Sequence, residues 1–311
     1  MNSLVPSIRP TLLVVAGPTA VGKTALCVRL AQHLQTEIVS ADSRQFFREL
    51  SIGTAKPTPE EMQGVPHHFI DSHSIQEEYN AGRFEADALA LLAELFQRQQ
   101  VVILTGGSGL YLQAVTEGLD EMPLANPQVR EELQRELAGL GLEPLVAELA
   151  QRDPVTYARI DRQNPQRVLR ALEVTRSTGQ PFSSFHTAQN KPSRPFDVVK
   201  VVLTREREEL YERIDQRVDQ MIAAGLLAEV ESLVPYRHHN ALQTVGYKEV
   251  FDYLDGLQDW PETVRLLKRN TRHYAKRQFT WFRRDPAYTW LHPDEAEAQI
   301  AKLLAERAAS A

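Results

Sequence analysis

Apolar positions in the first part of the chain come in short blocks separated by stretches with helical spacing. Residues 11–16 form an apolar run, and residues 23–34 follow with Leu26, Leu30 and Leu34 four apart. Residues 37–40 and 101–105 read as further strands, with a helical pattern over 84–97 between them. Alternation of strand and helix predicts a parallel sheet covered by helices, an α/β core. From residue 121 to 195 the strand signals vanish and the pattern is helical, with breaks at Gly139, Gly141 and Gly179-Gln180-Pro181. Asn164 followed by Pro165 predicts an N-cap and first-turn proline for a helix running to Thr178. A strand-like run at 196–203 returns the chain to sheet, and helices dominate from there on. The expected domains are a core of residues 1–120 plus 196–311 and a helical insertion of residues 121–195.

The first strand runs into Gly17-Pro18-Thr19-Ala20-Val21-Gly22-Lys23-Thr24, which matches G-x-x-x-x-G-K-[ST] and opens a helix. Strand, glycine loop and helix in that order are the context in which backbone N–H groups converge on an anion. Lys23 adds a full charge, and the Thr24 hydroxyl suits Mg²⁺. The loop therefore specifies a di- or triphosphate without specifying a nucleotide. Asp42 and Ser43 follow the second strand, and ligands of open parallel sheets bind beyond the carboxyl ends of the strands. Asp42 is thus placed to hold a metal or take a proton from an acceptor, with a turn or N-cap aspartate as the plainer reading. Thr105-Gly106-Gly107-Ser108 ends another strand with small groups that leave room for a pocket.

Two charge patterns add to this. Leu210, Ile214, Val218 and Met221 form the apolar stripe of a helix, and Arg217 falls inside it. A guanidinium drawn into a core needs an anion, so Arg217 is a second clamp for the phosphates unless it snorkels or pairs with a carboxylate. Residues 265–284 hold eight Lys and Arg and no acid. As a helix, Arg265, Arg269, Arg272, Lys276 and Arg283 lie within about 60° of one another, with Leu267, Tyr274 and Trp281 opposite. A single-sign stripe about 30 Å long fits a nucleic-acid backbone better than a small substrate. Arg167 and Arg170 extend the basic surface.

Composition narrows the rest. The chain has 311 residues, 35 Lys and Arg against 41 Asp and Glu, and a net charge of −6, so RNA binding has to be local. Cys27 is the single cysteine, which excludes a disulfide framework and a cysteine-rich zinc site. His67-His68 and His238-His239 lack the spaced partners of a zinc site and read as structural or phosphate-proximal. No apolar run approaches a membrane span and no signal peptide is visible, so a cytoplasmic monomer is expected.

Together these motifs resemble the bacterial tRNA dimethylallyltransferases. The resemblance runs nearly end to end through Gly17 to Thr24, Asp42-Ser43-Arg44-Gln45, Ile52-Gly53-Thr54-Ala55-Lys56-Pro57, Val65-Pro66-His67-His68 and Gly106-Gly107-Ser108-Gly109-Leu110-Tyr111. It continues through Asn164-Pro165-Gln166-Arg167, Arg170-Ala171-Leu172-Glu173-Val174, Val245-Gly246-Tyr247 and Ala275-Lys276-Arg277-Gln278-Phe279-Thr280-Trp281. Phe47 and Ser108 depart from a common tyrosine and a frequent threonine, and the zinc finger of eukaryotic relatives has no counterpart.

The resemblance implies transfer of a dimethylallyl group from its diphosphate to N6 of adenosine 37 in the tRNA anticodon stem-loop. It implies Asp42 as general base, and Lys23, Thr24, Arg217 and Mg²⁺ around the diphosphate. It further implies tRNA contacts from Asp42, Ser43, Arg44, Gln45, Ser108 and Arg130. Gln166-Arg167-Val168-Leu169-Arg170, Gln243-Thr244-Val245-Gly246-Tyr247-Lys248 and Lys276-Arg277-Gln278-Phe279-Thr280-Trp281-Phe282-Arg283 are the remaining implied contacts. An ATP-dependent small-molecule kinase, or a nucleotide-gated RNA-binding protein, would also use the phosphate loop. The kinase leaves the basic stripe without a role.

Overall fold

The computed structural model describes residues 9–120, 122–123, 126–186 and 193–309, which divide into two compact units. The larger comprises residues up to 117 and from 194, the smaller residues 118–193. These bounds lie two or three residues from those expected.

In the larger unit the chain runs β1 (Thr11–Ala16), α1 (Lys23–Leu34), β2 (Ile38–Ser40), α2 (Pro59–Met62), β3 (His67–His68), α3 (Ala81–Leu95), β4 (Val101–Gly106) and α4 (Gly109–Glu117). The smaller unit is helical: α5 (Pro127–Leu140), α6 (Glu143–Arg152), α7 (Pro154–Arg159) and α8 (Pro165–Thr178). Back in the larger unit come β5 (Asp197–Leu203), α9 (Arg207–Ala223), α10 (Leu226–Ser232), α11 (Lys248–Leu254), α12 (Trp260–Phe282), β6 (Thr289–Leu291) and α13 (Pro293–Ala309).

All six strands are parallel, in the order β3-β2-β4-β1-β5-β6. The strand β1 is apolar throughout because both of its faces are covered. Leu13 and Val15 join Leu26, Leu30 and Ile214 on one face, while Leu12 and Val14 join Phe84, Leu92 and Leu112 on the other. Near-continuous apolar strands of this kind are characteristic of parallel sheets. The strands β4 and β5 flank β1 on opposite sides, and this change in the direction of strand addition opens a crevice at the carboxyl ends, where the glycine loop sits.

Two strands, and the helices α2 and α4, were not visible in the sequence pattern. The edge strand β3 contains the His67-His68 pair, and β6 lies in the tail expected to be helical. His68 Nε2 is 2.6 Å from a Glu37 carboxylate oxygen and His67 Nδ1 is 2.8 Å from the Val65 carbonyl. This pair is structural, tying the sheet edge. In the smaller unit Asn164 caps α8 through the Arg167 amide at 3.3 Å. Val168, Leu169 and Leu172 of α8 pack with Leu133, Leu145 and Leu149. Among the described residues no helix is long and apolar enough to cross a membrane.

One latch fixes the wall of the crevice. Glu229 on α10 accepts hydrogen bonds from the amides of Ser51, Ile52 and Gly53 at 3.1, 2.7 and 2.9 Å, and from the Tyr247 hydroxyl at 2.7 Å. The buried Tyr247 ring lies flat over Gly53, where a Cβ would meet it at 2.6 Å. Gly53→Ala is therefore expected to destabilise the protein by about 1–3 kcal/mol through overpacking. The check is the urea midpoint, and an unmoved midpoint would show that Tyr247 yields freely.

Candidate active site

The glycine loop leaves β1 and winds into α1, with Gly22 in the left-handed region at φ 108° as the α1 N-cap. Lys23 folds back so that its Nζ donates to the carbonyls of Gly17 and Pro18 at 2.9 and 2.7 Å. The loop borders a cavity of about 300 Å³. Thr19, Ala20, Gly22, Lys23 and Thr24 line one side, and Asp42, Arg44 and Gln45 come from the segment after β2. Arg213, Arg217, Val218 and Met221 arrive from α9, and Leu267, Thr271, Tyr274 and Gln278 from α12. Gly53, Thr54, Ala55, Leu226 and Thr244-Val245-Gly246 complete much of the wall.

Asp42 stands two residues beyond β2, where its Oδ1 accepts from the Arg44 amide at 3.0 Å. It caps no helix, but its bond to the Arg44 amide is that of a turn aspartate, and from that turn it lines the cavity with Lys23. Ser108 follows β4; its Oγ accepts from the Ser43 amide at 3.0 Å and donates to Ser43 Oγ at 3.1 Å. Tyr274 lies near Ser108, and burial together with the nearby Asp42 charge pushes its phenol up to about 12. Asp42, Ser43, Ser108 and Tyr274 thus form one polar corner.

Arg217 is drawn inward by the apolar residues on either side of it, Ile214 and Val218, both buried. It makes no hydrogen bond or ion pair among the described residues. Burial, together with Arg213 one turn away, pulls its affinity for protons down, while Glu61 and Asp42 act the other way. Arg213 donates to the Ala20 carbonyl at 2.9 Å, so it grips the loop from the opposite side. Burial also lowers Lys23 to about 8, with Asp42 opposing and Arg217 reinforcing that shift. Four cations, Lys23, Arg44, Arg213 and Arg217, therefore line one small cavity, with Asp42 and Glu61 as its acids among the described residues. That is an anion site awaiting two or three negative charges.

Gln278 corrects one reading. It is buried, accepting from the Thr19 amide and donating to the Gly107 carbonyl, both at 3.0 Å. It ties the glycine loop to the loop after β4 and offers nothing to a nucleic acid at the surface. Four other implied contact residues have interior side chains too. Val168 and Leu169 belong to the core of the helical unit, Phe282 is fully buried, and Tyr247 is spent on Glu229. Phe279 stacks on Trp290 with ring centroids 5.8 Å apart, and Trp281 packs on the sheet core. Within those motifs Gln166, Arg167, Gln243, Lys248, Lys276, Arg277, Thr280 and Arg283 are exposed. Thr244, Val245 and Gly246 line the cavity.

The basic stripe is also narrower than its sequence suggests. Arg265 pairs with Glu262 at 2.6 Å, Lys268 with Asp219 at 2.7 Å and Arg272 with Asp215 at 2.8 Å. Arg269, Lys276, Arg277, Arg283 and Arg284 have no acidic partner among the described residues. Lys276 and Arg283 border a second cavity of about 450 Å³ together with Arg205, Arg207, Glu206 and Tyr211.

Sequence reading missed Arg213, Glu61, Thr271 and Tyr274. Arg213 was the detectable one, since it lies four residues before Arg217 on the same helix face. Tyr274 was assigned to the packing side of its helix, and that side turns out to face the cavity.

A parallel sheet with a glycine loop after β1, cations gathered around the cavity and a carboxylate beyond β2 defines an α/β phosphate-binding enzyme of the P-loop type. The chain belongs to the IPP transferase family, whose profile matches residues 45–285. It is 55% identical to a tRNA dimethylallyltransferase of Cytophaga hutchinsonii over 91% of this chain and 93% of that one. It is 47% identical to a tRNA dimethylallyltransferase of Bacteroides thetaiotaomicron over 95% of each. The crystal structure of a tRNA isopentenylpyrophosphate transferase from Bacillus halodurans superposes with a TM-score of 0.72 at 38% identity, covering 97% of this chain and 98% of that one. A eukaryotic dimethylallyltransferase acting on tRNA gives a TM-score of 0.70 at 28% identity, with 88% of this chain and 69% of that one covered.

The Lys23 ammonium sets a pH dependence. Its charged form binds the anion, and in the empty cavity that form is lost as pH rises through about 8. Affinity for inorganic pyrophosphate is expected to fall by about tenfold from about pH 7 to about pH 9, where about one lysine in ten stays charged. Lys23→Arg keeps its charge throughout and flattens that component of the titration curve. Calorimetry over this range checks it, and parallel curves for the two proteins would remove Lys23 from the anion site.

Proposed function

We propose that this chain transfers a dimethylallyl group from dimethylallyl diphosphate to N6 of adenosine 37 in the anticodon stem-loop of tRNA. The observation that carries the reading is the cavity itself: Arg217, unpaired among the described residues, with Lys23 and Asp42 on its lining, and an apolar wall of Val218, Met221, Leu226 and Leu267. A phosphate-only ligand has no use for that wall, whereas a prenyl diphosphate uses both the charges and the wall.

The chemistry follows from the groups present. Adenine N6 is a weak nucleophile because its lone pair is delocalised into the ring. Asp42 orients the amine and takes its proton as the N6–C1 bond forms. The C1–O bond breaks, and its electron pair leaves with the diphosphate. Lys23, Arg213, Arg217 and the loop amides stabilise the charge that grows on the departing oxygens. Ser108 and Tyr274 lie beside Asp42 and supply hydrogen bonds to the base. No ATP is consumed.

Mg²⁺ fits this site. The Thr24 hydroxyl faces the cavity and makes no hydrogen bond among the described residues, and no three acidic, His or Cys side chains converge there. A small divalent ion of this kind is held by one or two protein oxygens together with phosphate oxygens and water. Thr24 would be the protein's ligand, and the ion would supply charge neutralisation to the diphosphate.

The base has to leave its stack to reach Asp42, at less cost in a loop than in a duplex. Lys276 and Arg277 on the exposed side of α12, and Arg283 at its C-cap, are the groups suited to phosphates of the stem.

Labelled dimethylallyl diphosphate mixed with unmodified tRNA tests the reading. Label in RNA without ATP supports it; turnover that requires ATP would make the protein a kinase instead. Asp42→Asn should keep RNA binding and lose about 10²–10⁴-fold in turnover. Turnover near that of the unaltered protein would take the base role from Asp42. Replacing Lys276 and Arg283 by Gln should reduce the slope of log affinity against log salt by about two. An unchanged slope would mean that α12 turns this side away from RNA.

A further inference from the structure

Arg130 and Arg170 of the helical unit are among the tRNA contacts that the resemblance implies, whereas Glu173, in the motif Arg170-Ala171-Leu172-Glu173-Val174 on α8, has no part in the transfer reaction or in those contacts. Glu173 is 3% exposed, an unusual place for a carboxylate unless its oxygens are paired. Its Oε2 is held by Arg170 Nη1 at 3.0 Å, and Arg170 also donates to the Pro123 carbonyl at 3.4 Å. Its Oε1 is buried without a hydrogen bond, and Arg130 Nη1 on α5 lies 3.8 Å away. One carboxylate therefore stands behind two guanidiniums from two helices. Both reach solvent, with side chains 51% exposed for Arg130 and 37% for Arg170.

A structural ion pair needs one arginine. Two arginines sharing one buried anion leave a net positive pair whose outward N–H groups are mostly unspent. Without the anion between them the two cations would repel and swing apart. Exposed Arg167, three residues earlier on α8, continues the row by about 4.5 Å along the helix axis. Forked donors spaced along a helix suit the oxygens of successive phosphates, which guanidinium contacts in bidentate fashion.

We infer that Glu173 is a positioning residue that holds Arg130 and Arg170 as a two-pronged clamp for a backbone phosphate of RNA. This rests on tRNA being the substrate. The sign of the effect distinguishes the role from a bystander's. A negative charge near RNA opposes binding, so neutralising a bystander strengthens the complex, whereas neutralising a positioner weakens it.

The experiment measures binding of an unmodified anticodon stem-loop RNA to the full chain by fluorescence anisotropy at fixed salt, for wild type, E173Q, R130Q and the double variant. Expected is about five- to tenfold weaker binding for E173Q, with R130Q costing much less in the E173Q background than in wild type. Equal or tighter binding by E173Q, or equal costs of R130Q in both backgrounds, overturns the proposal. Should E173Q lose its helical circular dichroism, R130Q and R170Q are combined instead: losses smaller together than their sum support the clamp, and additive losses overturn it. Wild-type protein that does not bind the RNA sinks the tRNA reading and the clamp with it.

Discussion

Cationic charge gathered around one small cavity, in excess of the two acids on its lining, is the constraint around which the larger unit is organised. Arg217, half-buried beside the packed Ile214 and Val218, has no hydrogen-bond or ion-pair partner among the described residues, and its partial desolvation loosens its proton. Lys23 is in the same situation, its proton loosened by desolvation while its Nζ is held by two loop carbonyls. The rest of the sheet and helices supply the packing that tolerates this. A bound anion relieves it, which makes diphosphate capture and the electrostatics of the leaving group two views of one arrangement.

The helix α12 connects this interior to the surface. Leu267, Thr271, Tyr274 and Gln278 recur every three or four residues and face the cavity, while Lys276, Arg277 and Arg283 face outward. Gln278 then spans the glycine loop and the loop that carries Ser108. The polar corner beside Asp42 and the anion cradle are consequently braced by one buried amide. A reaction that forms a bond at N6 while breaking one at a diphosphate oxygen requires those two places to stay in register, and rigid elements do this better than loops.

The helical unit is built on different terms. Its apolar residues make a small core of their own, and its charged residues are arranged in pairs and triplets such as Arg176 with Glu136 and Glu148. Arg130, Glu173 and Arg170 depart from simple pairing because the acid is buried and both bases are not. Membership of the IPP transferase family gives that departure a context, since relatives named for action on tRNA need a surface that handles phosphates.

Local patterns in the chain were enough to determine the glycine loop, β1, β2, β4 and β5, the capped helix α8 and the helical insertion, because each of these depends on neighbours a few residues away. The inward placement of Arg217 was readable for the same reason, as a charge in an apolar stripe. Contacts between distant segments decided the rest. The short strands β3 and β6 exist only as additions to a sheet already formed, so two or three residues carry no periodic signal of their own. Asp215 and Asp219 on α9 neutralise Arg272 and Lys268 of the basic stripe, a pairing that no window on α12 contains. Gln278, Tyr247 and Phe282 sit in motifs that look like surface contacts and are interior, while Tyr274 looks like packing and faces the cavity. Side-chain type and spacing establish which face of a helix a residue occupies; only the assembled fold establishes what that face meets.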